Sequence, residues 1–134
     1  MLAPALSGLR LSLHVLAAAV FVGGQITLAG LLPVLRPLGR DVTRAAAHAF
    51  ARLQWPAYGV LLATGIWNSL ATDAGSRHGA WEVVFGVKVG VAVLAGVAAL
   101  LHSRSRRPLG LAVFGALAAL GSLAALVLGV LLAG

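Results

Sequence analysis

Residues Leu109–Leu132 read LGLAVFGALAALGSLAALVLGVLL, and no charged side chain interrupts them. A membrane-spanning helix needs about 20 mostly apolar residues, so this stretch alone predicts a bilayer-crossing helix. Working back toward the N-terminus, three more apolar runs fall at about residues 9–32, 46–70 and 81–102. The fold class that follows is all-α: a four-helix transmembrane bundle, antiparallel up and down, with residues 1–134 forming one integral membrane domain. Composition agrees, since 60% of the residues are hydrophobic, only 10% are charged and the mean hydropathy is +1.01. Soluble domains carry about a quarter charged residues. Four spans with short connections leave no length within this sequence for a separate soluble catalytic domain.

The charges sit in the connections and set a direction. Arg36, Arg40 and Arg44 lie between the first two runs, and Arg104, Arg106 and Arg107 between the last two, whereas the opposite side carries only Arg10 and Arg77. Positive residues favour the cytoplasmic side, which predicts both termini outside. Trp67 and Trp81 flank the sparsely charged loop 71–80, where an outer aromatic belt is expected. The formal net charge of +7 therefore reads as membrane orientation, with the lipid bilayer as partner and no nucleic acid. A nucleic-acid binder would need a solvated basic surface. The first run extends well past Ala17-Ala18-Ala19 and carries polar residues, so it reads as a span rather than a cleaved signal peptide. Pro33 and Pro37 are expected to end it and Pro56 to kink the second span, because proline removes a backbone donor and crowds the preceding turn.

The polar residues inside the spans are the candidates for function. An ionised lysine in hydrocarbon costs about 2.5–3.5 kcal/mol on insertion scales, so Lys88 needs compensation. At 1.5 Å per residue it lies roughly 10 Å below the interface marked by Trp81. Antiparallel packing brings His14, Thr64, Asn68 and Lys88 to one depth in the outer leaflet. His14 and Gln25 share a face of the first helix, a face on which a ligand could sit. His48 and His102, near the inner ends of spans two and three, form a second candidate pair. Lys88, Ala92, Ala95, Ala99 and His102 share one side of span three, a small-residue seam open to a flat macrocycle or a neighbouring helix. The fourth span reads as packing and lipid contact.

Three short segments carry a family resemblance: Leu13-His14-Val15-Leu16-Ala17-Ala18-Ala19-Val20-Phe21-Val22-Gly23-Gly24, Thr64-Gly65-Ile66-Trp67, and Gly86-Val87-Lys88 at the opening of a long apolar helix. They resemble the copper-resistance D (CopD-like) membrane domain and, more distantly, the HemJ-type protoporphyrinogen oxidases. The resemblance spans nearly the whole chain. It implies a four-helix unit in the cytoplasmic membrane of a prokaryote, in which His14 and Lys88 matter as metal or cofactor ligands. The HemJ-type branch implies haem b and porphyrinogen oxidation, and the CopD-like branch implies copper movement across the membrane.

The donor inventory separates these expectations. Cu(I) favours thiolate and thioether ligands, yet the chain has no cysteine and one methionine, Met1. Haem b needs only one or two axial side chains and is well hosted by an apolar helical bundle. Haem b is therefore the expected cofactor, with His14, Lys88, Asn68, Gln25, His48 and His102 as candidate contacts and copper as the alternative. No nucleophile–base pair, carboxylate dyad or phosphate loop is legible, so turnover of its own is not the leading expectation. A third class is an accessory subunit of a larger membrane complex. A four-helix unit is narrow, which leaves open a homodimer with sites at its interface.

Overall fold

A computed structural model describes residues 2–133, with side chains described at all of these except 2, 3 and 74. The described residues are helical almost throughout: α1 (Leu2–Ala18), a π-helical turn (Ala19–Gly23), α2 (Gly24–Leu38), α3 (Arg40–Ala71), a 3-10 turn (Ala74–Ser76), α4 (Ala80–Arg104) and α5 (Pro108–Ala133). They fall into two compact units, Met1–Thr72 and Asp73–Gly134.

In the N-terminal unit, α1, the π turn and α2 run on as one rod that packs against α3. A single residue separates rod and partner. Gly39 adopts φ 121°, a region that side-chain-bearing residues avoid, and the chain reverses there. Asp41 in the first turn of α3 complements the positive helix end, and the Thr43 hydroxyl donates to Gly39 O at 3.1 Å. The rod does not stop at Pro33 as the sequence suggests, but continues through Pro33 and Pro37 to Leu38. Each ring already holds a helix-compatible φ, so the proline removes one hydrogen bond and the helix survives it. The second span likewise begins earlier than expected, at Arg40, and passes Pro56 unbroken.

The core of this unit is small. Phe21, 2% exposed, lies in the π turn with its ring 5.0 Å from that of Tyr58. Trp55 meets Tyr58 edge-on at 6.2 Å. Gly24 lies so close to the Phe50 ring that any Cβ there would overlap it. The wide π turn loosens the carbonyl ladder, and side chains return hydrogen bonds to it: Gln25 Nε2 donates to Phe21 O at 3.0 Å and Thr27 Oγ1 to Gly23 O at 2.8 Å.

The C-terminal unit is a hairpin of α4 and α5, reached from the loop through Gly79 at φ 79° and turned at Ser105–Arg107. Pro108 opens α5, a position where its missing donor costs nothing. Along α4, residues seven apart each face a glycine of α5. Lys88 Nζ lies 3.2 Å from where a Cβ on Gly129 would be, Ala95 Cβ 3.1 Å from that of Gly121, and His102 Nδ1 3.0 Å from that of Gly115. Absent side chains on α5 thus let the two helices close together, as small residues do in lipid. The seam expected on this face is occupied by α5.

Three helical segments are long and apolar enough to cross a membrane: Pro4–Leu38, Ala80–Arg104 and Pro108–Ala133. The last two match the expected spans to within two residues. α3 is 32 residues long, about 48 Å at 1.5 Å per residue, but it is less apolar than the other three. The cause is visible in its residues. Its first half carries Arg40, Arg44 and Arg52, and its second half carries Thr64 and Asn68. The wealth of exposed large apolar side chains, among them Leu94, Leu109, Leu120 and Val130, suits a lipid surround.

Candidate functional site

The α1–α3 interface collects polar side chains at matched levels. α1 runs antiparallel to α3, so that His14 meets Thr64 and Gly65, while Arg10, one turn earlier, meets Trp67. Asn68 stands one turn beyond Thr64 on α3. The i to i+4 spacings of Arg10 and His14 and of Thr64 and Asn68 put these four on facing stripes.

His14 is the best defined of them. Its Nδ1 lies 2.8 Å from Thr64 Oγ1, and the hydroxyl itself lies 2.7 Å from Val60 O. A hydroxyl has one hydrogen, and the carbonyl can only accept it. Thr64 therefore donates to Val60 O and accepts from His14 Nδ1–H. On this assignment the imidazole is the tautomer with its lone pair on Nε2. Thr64 is 5% exposed, so the bond that fixes the ring is shielded from water. Gly65 packs beside the ring: a Cβ there would be in ordinary van der Waals contact with His14 Cε1, at 3.6 Å.

Arg10, which the charge pattern counts as one outer arginine among others, lies in this interface. It is only 8% exposed, its guanidinium carbon lies 6.0 Å from the Trp67 ring centroid, and its Nε is buried without a hydrogen-bond partner. Asn68 Oδ1 is likewise buried without a partner. The four-residue spacing of Arg10 and His14 was a usable signal, since it predicts that any face burying one buries the other.

The remaining candidates have other surroundings. Gln25 is half-buried and donates to its own helix at Phe21 O. His48 is exposed on α3. In the C-terminal unit, His102 donates from Nδ1 to Leu111 O at 2.8 Å, which ties α4 to the first turns of α5. Lys88 extends over Gly129 of α5. Glu82, a conceivable partner for Lys88, pairs instead with His78 at 3.7 Å on an exposed face. Arg77 lies over Trp81 at 5.0 Å, and Trp81 stacks on Phe85 at 5.1 Å. His14, Asn68 and Gln25 thus belong to one unit and Lys88 and His102 to the other.

Among the described residues no group of three or more His, Asp or Glu assembles to hold a metal ion. An apolar groove along α1, lined by Leu11, Ser12, Val15, Leu16 and Ala19, runs on a different strip from His14. No family model, curated protein or solved structure matches this chain.

Proposed function

We propose that this is a four-span protein of a prokaryotic cytoplasmic membrane, with its termini outside and its arginine-bearing connections cytoplasmic, that binds haem b on His14 in the N-terminal hairpin. One observation carries the reading: His14 Nδ1 lies 2.8 Å from the Thr64 hydroxyl oxygen, an acceptor for its N–H. Histidines that ligate metals nearly always donate their other ring N–H to an oxygen acceptor, which fixes the ring and raises its basicity.

The donor chemistry suits haem better than a bare metal ion. A porphyrin brings four nitrogen donors of its own and asks the protein for one or two, whereas a copper ion held by side chains alone needs several soft ligands. In this chain His14 would hold the iron and Thr64 would orient His14. Haem b, when bound, supplies a one-electron couple. The apolar helices around it would shield that couple from water and thereby tune its potential.

The test is the absorption spectrum of detergent-purified full chain expressed with haem supplied, recorded oxidised and then dithionite-reduced. A Soret band with sharp α and β bands on reduction is expected. A colourless protein of native helicity would overturn the reading.

A further inference from the structure

We infer that Arg10, with Asn68 beside it in the fold's register, forms a binding site for an oxyanion, the carboxylate or phosphate of an amphipathic ligand, at the outer level of the α1–α3 interface. An arginine that is only 8% exposed as a residue, with its Nε buried and no counter-charge, is costly, and this chain has little to offer it. Only three acidic residues exist in the whole sequence. Asp41 is in the first turn of α3, at the far end of that helix from Trp67; Glu82 is taken by His78; Asp73 is exposed in the loop. Among the described residues no carboxylate pairs with Arg10, and its Nε has no hydrogen-bond partner.

The surroundings select the kind of group that completes the site. Trp67 covers guanidinium with its ring at 6.0 Å, an attraction that does not consume the in-plane N–H donors. Those donors form a fork that matches the paired oxygens of a carboxylate or phosphate. Asn68 adds an amide at the same level, whose Nδ2 can donate to an oxyanion; its buried Oδ1, which lacks a partner, is an acceptor and takes no part in holding one. Two sources present such an oxyanion at this depth: a propionate of the haem proposed for His14, one helical turn away, and the phosphate of an anionic lipid. The first source rests on the haem reading, and the second does not.

The experiment uses the full chain in two arms. In the first, iron protoporphyrin IX and its dimethyl ester are titrated against the wild type and Arg10→Gln, with Kd read from the Soret change. A propionate source predicts about tenfold tighter binding of the free acid to wild type, with the preference lost in Arg10→Gln. In the second, haem-free protein from phosphatidylglycerol-containing vesicles is examined by native mass spectrometry. A lipid source predicts retained phosphatidylglycerol on wild type and its loss in Arg10→Gln. Binding of neither porphyrin would remove the haem reading and leave the second arm to decide the oxyanion site. Wild type with no preference for the free acid and no retained anionic lipid overturns the inference, whether or not Arg10→Gln folds. So does a preference or a retained lipid that survives Arg10→Gln in a folded protein.

Discussion

The two units solve the same packing problem with opposite uses of their polar residues. In the C-terminal hairpin, α5 offers glycines, and the polar side chains of α4 are absorbed by them: Lys88 lies over Gly129, and His102 lies over Gly115 with its Nδ1–H given to Leu111 O. In the N-terminal hairpin the close apolar contacts between helices are made by Phe21, Tyr58 and the Gly24–Phe50 approach. The polar side chains Arg10, His14, Thr64 and Asn68 are held at the interface, with buried donor and acceptor capacity at Arg10 and Asn68 that the chain does not use. A histidine in a membrane helix is therefore not a site by virtue of being there. Both His14 and His102 bring Nδ1 to within 2.8 Å of an oxygen; what sets His14 apart is the unsatisfied polar atoms of Arg10 and Asn68 a turn away.

The contrast can be broken hardest at Gly121. A Cβ there would lie 3.1 Å from Ala95 Cβ and 3.5 Å from Ala95 Cα, and neither can move without shifting α4. Gly121→Val should cost about 3 kcal/mol, measured by thermal or SDS unfolding followed by circular dichroism. It should leave the N-terminal site's ligand affinity unchanged. Next in size is Thr64→Val, which keeps the shape but removes the acceptor for His14 Nδ1–H. Haem affinity should fall about tenfold to a hundredfold, read as Kd in a Soret titration. An unchanged Kd would show that Thr64 does not orient the ligand. Smallest is Gly115→Ala, whose Cβ would press on His102 Nδ1 at 3.0 Å and displace the bond to Leu111 O. The expected loss is about 1 kcal/mol of stability with no change in haem content. In a His102→Ala background the same substitution should cost less.

The extent to which the sequence disclosed these features follows from how local each one is. α4 and α5 were legible to within two residues because an uninterrupted apolar run and its flanking Gly79 and Pro108 are local signals. The end of the first rod was not legible, because proline's effect depends on whether one lost hydrogen bond outweighs a long helix already formed, and at Pro33 and Pro37 it does not. The π turn at Ala19–Gly23 has no periodic signature at all. Helix depth could bring His14 and Thr64 to one level, but the hydrogen bond between them, and the proton direction set by Val60 O, depend on side-chain geometry. Arg10 was the largest omission. Burial of a charge is a property of the interface and not of the residue, and counting it as an outer arginine concealed that it faces Trp67.

On the haem reading proposed above, the ligand is the N-terminal histidine and not the equally well hydrogen-bonded one in the C-terminal hairpin. Reduced-minus-oxidised spectra of His14→Ala and His102→Ala, purified side by side with haem supplied and matched for helicity, test this directly. His14→Ala should lose the Soret, α and β bands while His102→Ala keeps them at wild-type intensity. Bands retained in His14→Ala, or lost in a folded His102→Ala, would contradict it.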